Sequence, residues 1–252
     1  MIKSVNAIQE IGTLPWSYSG NGVLTKKERV RFFLEIAGAQ IKKALKANDA
    51  YRFVDLSGLK LPDTKFVYSA FSFTESKSPT WLMNHCLRTW MWAKIIALHE
   101  GLAVDDEILA LACILHDITL LNEPSSNCPC CFAVQSAWDA DDFLKKQLYD
   151  PIKASIVANA ICLHMNSQVD LNHGVEAHLL NAGAAMDVLG DRLKQINSEN
   201  IKIILEEYPR LNFKTEFSSA IFKQHKYNKD SRSDLLWKAG FGFLIKHSKW
   251  ND

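Results

Sequence analysis

The feature that most constrains the fold is an uninterrupted run of eight apolar residues, ILALACIL, from Ile108 to Leu115. Either Asp105 or Asp106, just before it, is suited to cap the first turn of a helix. A helix that is apolar on every side belongs at the centre of a bundle. The low glycine and proline content also favours helices over a sandwich of short strands. We therefore predict an all-α fold.

Helical periodicity predicts further helices at 81–99, 132–147, 151–164 and 174–195. The last of these places two glycines on one stripe, where they would let another helix approach closely. That stripe consists of Leu180, Gly183, Asp187 and Gly190. The inward stripe of the first consists of Leu82, His85, Thr89, Trp92 and Ile96.

The flanking regions are less regular. Residues 1–24 contain the turn-rich stretch LPWSYSGNG, residues 51–80 are predicted to be an irregular connection, and two helical stretches broken by Pro209 are predicted after Asn197. Between the first two regions, Thr25 and Glu28 form a capping box that begins a helix. One side of that helix carries Val30, Phe33, Leu34 and Ile41.

A charged pair, His116 and Asp117, directly follows the apolar run and is predicted to lie in the interior. A buried carboxylate costs several kcal/mol unless it is paired or bound to a cation. His85 and Asp187 also lie on inward stripes. Alone, each has an ordinary explanation: a packed core histidine, a helix end, a solvent-facing aspartate. Together they would supply the nitrogen and oxygen ligands that Zn, Mn, Fe or Co accept.

The order of these segments resembles the HD superfamily of metal-dependent hydrolases. The matching segments are NHCLR at 84–88, LHDIT at 115–119 and AAMDVLG at 185–191. The cyanamide-hydratase-like members are the most similar, because FAVQSAWDADDFL at 132–144 resembles their segment FEVxGAxAAxxFL. AICLHMN at 160–166 also resembles a segment of theirs with a histidine late in a helix. The resemblance covers about residues 80–192.

This resemblance implies a single-domain HD helical bundle, with an N-terminal extension at 1–79, an HD core at 80–195 and a C-terminal helical extension at 196–252. It implies one divalent ion, zinc first with iron, manganese or cobalt as alternatives, which lowers the pKa of a bound water and presents hydroxide to an electrophilic carbon or phosphorus. The implied ligands are His85, His116, Asp117 and Asp187.

Three residues receive catalytic roles from the same resemblance. Asp117 would also orient the water. Arg88 would hold an anionic group of the substrate, with a structural ion pair as its alternative. His164 would be an outer ligand, a proton shuttle or a substrate contact, with capping of helix-end carbonyls as its alternative.

The chain departs from the subfamily pattern at three positions, with Thr119 and Ser136 in place of glycine and Ala133 in place of glutamate. The first interpretation is a hydrolase or hydratase acting on a nitrile-like or amide-like small molecule. The alternatives are a phosphohydrolase acting on a nucleotide or small phosphomonoester, for which Glu123 is a candidate acidic residue, and a degenerate HD fold that serves as a binding module.

The formal net charge of +1 gives no reason to expect nucleic acid or an anionic membrane as partner. We expect a small-molecule substrate and leave homo-oligomerisation open. The sequence shows neither a secretory signal nor a membrane-spanning run, which predicts a cytoplasmic protein with reduced thiols. Cys128, Cys130 and Cys131 are too closely spaced for a zinc knuckle and are expected to be free loop thiols.

Overall fold

The computed structural model describes residues 10–45, 50–123 and 131–251, and within these it is all helical, as predicted. None of the described helices is long and apolar enough to cross a membrane. The helices are α1 Leu14–Gly20, α2 Lys26–Leu45, α3 Lys65–Glu75, α4 Thr80–Glu100, α5 Asp106–Leu115, α6 Phe132–Lys146, α7 Pro151–Leu163, α8 Val175–Leu189, α9 Ser198–Glu207, α10 Phe213–Tyr227, α11 Arg232–Lys238 and α12 Phe241–Lys246.

Helix α5 is the centre of the fold. Every residue from Ile108 to Leu115 is buried, and the helix packs against α3, α4, α7 and α8. Asp105 caps it by accepting hydrogen bonds from the backbone N–H groups of Glu107 and Ile108, both at 3.1 Å. The central placement predicted from the apolar run is confirmed.

Helices α4 and α8 are in close contact at Gly183. A Cβ atom there would lie 2.4 Å from the carbonyl oxygen of Thr89, so only glycine allows this approach. Gly190 was predicted to act in the same way, and that prediction is wrong. It has a φ of 71° and ends α8, with its N–H donating to the carbonyl oxygen of Met186, which is the common C-terminal use of glycine.

We expect Gly183→Ala to lower the free energy of unfolding by about 2 kcal/mol or more, because the new methyl group must push a backbone carbonyl aside. Gly38→Ala is the matched control, since a Cβ at that helical position meets nothing within 4 Å. The control should stabilise the protein by about 0.5–1 kcal/mol through helix propensity. Urea unfolding of both variants checks this, and equal effects would contradict the close contact.

Two regions predicted to lack helices contain them. Helix α3 lies inside the predicted irregular connection at 51–80; Val67, Ala70 and Thr74 form its buried stripe, with polar and aromatic residues between them. Helix α1 lies inside the turn-rich stretch. Pro15 does not prevent this helix, because it occupies the first turn, where proline is compatible with a helix. The region after Asn197 holds four described helices in place of two.

Helix α2 begins at the predicted capping box: Thr25 N–H donates to Glu28 at 2.7 Å, and Glu28 N–H donates to the Thr25 hydroxyl at 3.3 Å. The side that packs on the protein carries Phe32 and Ala39. The predicted apolar stripe is on the opposite side and is more than half exposed at each position. Its members are Val30, Phe33, Leu34 and Ile41.

The four described cysteines are free thiols, and all four are buried. They are Cys86, Cys113, Cys131 and Cys162. Cys131 is not an exposed loop thiol, because it lies at the start of α6 and is fully buried. Cys128 and Cys130 lie outside the described residues.

Candidate metal centre

Two helix ends point histidines at the same place. His116 directly follows α5 and His164 directly follows α7. Each ring uses Nδ1 to donate to the carbonyl oxygen three residues earlier, at 2.8 Å for Cys113 and 2.6 Å for Ile161. Each histidine thus satisfies a free carbonyl at its helix end. In the neutral ring, this bond leaves Nε2 without a hydrogen.

His85 comes from the middle of α4 and has the same arrangement with a different acceptor. Its Nδ1 lies 2.8 Å from Oδ2 of Asp187, which belongs to the last part of α8. Donation to this carboxylate again leaves Nε2 as a lone pair. Metal-binding histidines in proteins usually have their second nitrogen held by a carboxylate or a backbone carbonyl in this way.

The three Nε2 atoms converge on the carboxylate of Asp117. His116 and His85 lie 3.4 and 3.6 Å from Oδ2, and His164 lies 3.5 Å from Oδ1. The Nε2 atoms of His85 and His116 are 3.2 Å apart. All four side chains are buried. The ligand atoms of His85, His116 and Asp117 lie within 4.8 Å of one another.

This arrangement fits a divalent metal ion. In these tautomers the Nε2 lone pairs of His85 and His116 face each other at 3.2 Å, and either a proton or a metal cation between them relieves their repulsion. Oδ1 of Asp117 is buried and accepts no hydrogen bond from any described residue, a costly state for a carboxylate oxygen. Imidazole nitrogen and carboxylate oxygen are ligands that zinc and its neighbours accept.

The electrostatics also favour positive charge at this place. Burial opposes ionisation of Asp117, but the imidazoles of His116 and His164 outweigh it and hold the pKa of this carboxyl well below its usual range. Burial likewise opposes protonation of His116, but Asp117 outweighs it and raises the pKa of that imidazole. Burial lowers the pKa of His85 and His164. The cluster therefore attracts a cation, and metal binding would displace protons from it.

Asp187 lies beside the cluster with its oxygens already occupied. Oδ1 accepts from Arg88 Nε at 2.7 Å and from Trp92 Nε1 at 3.0 Å. Oδ2 accepts from Arg88 Nη2 and from His85 Nδ1, each at 2.8 Å. Burial opposes its ionisation, but the Arg88 charge and the His85 hydrogen bond hold the pKa of Asp187 well below its usual range. Its predicted ligation of the metal stays a prediction.

Arg88 forms a structural ion pair in the interior. It is fully buried, pairs with Asp187, and donates through Nη1 to the carbonyl oxygens of Tyr208 and Pro209, each at 3.1 Å. The structure thus shows the ion pair that the sequence left open as an alternative, and the predicted contact with a substrate anion stays a prediction.

The cluster forms one end of a pocket of about 570 Å³ including its open mouth. Asn166, Ser167 and Asn181 add neutral polar groups. The remaining wall is apolar, and part of it comes from the C-terminal helices. The apolar lining consists of Met165, Ala184, Ala185, Val188, Leu189, Phe217, Leu236 and Phe241.

The departures from the subfamily pattern lie outside this pocket. The Thr119 hydroxyl donates to the carbonyl oxygen of Phe132 at 2.8 Å, and it lies 2.8 Å from the hydroxyl of Ser136. The two residues that replace glycines thus bond to each other and tie the turn after Asp117 to α6. Ala133 is fully buried in the core. Glu123 is exposed and pairs with Lys223, which does not support a catalytic role.

A comparison with protein families identifies the region that carries the cluster. Residues 82–196 match the HD domain. The match supports the HD superfamily, which generally comprises metal-dependent hydrolases, and it includes the three histidines and both aspartates of the centre. No curated protein matches the chain.

Sequence reasoning missed several residues around the HD-domain centre. Trp92 was assigned only to the core, although it lies on the same α4 stripe as His85 and donates to Asp187. Asn181 was not singled out; it donates to the carbonyl oxygens of His164 and Asn166 at 2.9 and 2.8 Å and so fixes the pocket wall. Nothing in the local sequence indicates that Phe217 comes from α10 to line the pocket.

Proposed function

We propose that this protein is a mono-metal hydrolase or hydratase that acts on a small uncharged molecule with an electrophilic carbon, of the nitrile or amide type. The observation that carries the proposal is the pocket. Its polar end is the histidine and aspartate cluster, and the rest of its described wall is neutral. A divalent ion bound there would supply a Lewis acid and lower the pKa of a water molecule to near neutrality.

Each residue of the site would then have a separate role in binding the ion, the water or the substrate. The Nε2 atoms of His85 and His116 would hold the ion with Asp117, and Asp187 would keep the His85 ring in its tautomer. Asp117 Oδ1 accepts no hydrogen bond from any described residue, so it is suited to accept one from the attacking water and to orient that water. Asn181 uses its amide hydrogens on backbone carbonyls, and its oxygen is left to accept from a substrate N–H.

The phosphohydrolase alternative has less support from the pocket. Enzymes that transfer phosphoryl groups surround the charged oxygens with arginine, lysine or metal ions. No described residue that lines this pocket is an arginine or a lysine, and Arg88 is engaged by Asp187. A phosphomonoester dianion would therefore depend on the metal ion alone for its charge.

An activity panel tests the proposal. The purified protein, loaded in turn with Zn, Mn, Co or Fe, would be given small nitriles, cyanamide, small amides and a set of phosphomonoesters. We expect hydration or hydrolysis of an uncharged substrate, detected as an amide, urea or ammonia, and no release of inorganic phosphate. Phosphate release alone would overturn the substrate class. Less than about a tenth of an equivalent of metal, with no activation by any ion, would instead favour a binding module.

A further inference from the structure

We propose that His164 is a direct ligand of the metal ion and that Asp187 is not, so that the ion is held by three imidazoles and one carboxylate. The inference rests on the proposed metal centre and changes two of the roles derived from the sequence. It is carried by the donors around Asp187 and by the common orientation of the three histidines.

The first observation is that Asp187 has no lone pair to spare. An ionised carboxylate offers about four lone-pair sites, and Asp187 accepts four hydrogen bonds, two from Arg88, one from Trp92 and one from His85. The side chains of Asp187 and Arg88 are completely buried. A bond from Asp187 to the ion would displace at least one donor, and loss of the Arg88 contact would leave a guanidinium partly unpaired in the interior.

The second observation is that His164 is oriented like His116, although it lies outside the group of His85, His116 and Asp117 whose ligand atoms are within 4.8 Å of one another. Its Nδ1 donates to a backbone carbonyl, as His116 does, and its Nε2 lies 3.5 Å from Asp117 Oδ1. The ring centroids of His116 and His164 are 5.0 Å apart. Oδ1 of Asp117 has no hydrogen-bond partner among the described residues, so a cation beside it and the His164 lone pair would satisfy both.

Asp187 then has a positioning role. It accepts the Nδ1 hydrogen of His85, which makes that imidazole a better electron donor toward the metal. Arg88 and Trp92 hold the Asp187 carboxylate in place through three hydrogen bonds. In this arrangement Arg88 balances the charge of Asp187, Arg210 Nη1 also lies 3.5 Å from Asp187 Oδ1, and Asp117 is the one carboxylate ligand of the ion.

Proton NMR of the protein loaded to saturation with Co²⁺ counts the imidazole ligands directly. Each histidine bound through Nε2 and protonated at Nδ1 gives one strongly shifted signal that disappears in D₂O. We expect three such signals in the wild-type protein, two in His164→Ala, and three in Asp187→Asn, with Co²⁺ affinity lowered about 10- to 100-fold in the last. His178→Ala is the matched control, because His178 Nδ1 also bonds a backbone carbonyl, that of Val169, but lies outside the cluster. It should retain three.

Two signals in the folded wild-type protein would overturn the inference without any reliance on a variant. So would a folded Asp187→Asn protein, checked by circular dichroism, that binds no Co²⁺ at saturating concentration. If the wild-type protein itself binds no Co²⁺ or Zn²⁺, the proposed metal-dependent function fails, and that result is distinguishable from an ion held by two imidazoles.

Discussion

Arg88→Met is expected to lower the free energy of unfolding by about 3 kcal/mol, because it removes the guanidinium that donates two hydrogen bonds to the buried carboxylate of Asp187 and leaves only Arg210, at 3.5 Å, as a charge partner. Methionine fills much of the volume of the arginine stem, so the loss reports the charge rather than a cavity. In the variant Trp92 and His85 still donate to Asp187, and Arg210 Nη1 lies 3.5 Å from its Oδ1, but none of these groups replaces the two hydrogen bonds of the Arg88 guanidinium. Urea or thermal unfolding of the metal-free protein measures the effect.

The matched control is Lys146→Met, which removes the same charge from an exposed pair with Asp142 one helical turn away. Such pairs contribute little, and the control should change stability by less than about 0.5 kcal/mol. If both variants unfold at the same urea concentration, Arg88 does not stabilise the interior through Asp187. The contrast thus tests whether the ion pair between Arg88 and Asp187 stabilises the interior.

Asp117→Asn is expected to reduce bound metal below about a tenth of an equivalent and to lower kcat/KM on any substrate that the panel identifies by about 10³-fold or more. The change keeps the shape of the side chain but removes the negative charge on which three imidazoles converge. Elemental analysis after dialysis gives the metal content, and unfolding curves show whether the variant is folded.

Asp142→Asn is the control for this variant, since it removes one carboxylate from the exposed surface of α6. It should retain the metal and the activity of the wild-type protein. A folded Asp117→Asn protein that keeps a full equivalent of metal would show that the carboxylate is not a ligand. It would also remove the reason for placing the activated water beside it.

Local sequence patterns predicted the central helix and the family of the region around it. The apolar run predicts the central helix because a segment with no polar side can avoid water only in the middle of the bundle. The order of the histidine and aspartate segments predicted the HD domain that residues 82–196 match. Helices α1 and α3 were missed because proline and interspersed aromatic residues obscured their periodicity.

The sequence by itself thus determined the class of fold, the buried His116 and Asp117 after α5, and the possibility of a metal centre. Only the tertiary structure decided how the charges pair, because Arg88 and Asp187 are 99 residues apart and no local pattern shows which donors a carboxylate meets. The same holds for the neutral wall of the pocket, which depends on Phe217 reaching back from α10. Contacts between distant segments depend on how helices pack, and periodicity specifies only the face that each helix buries.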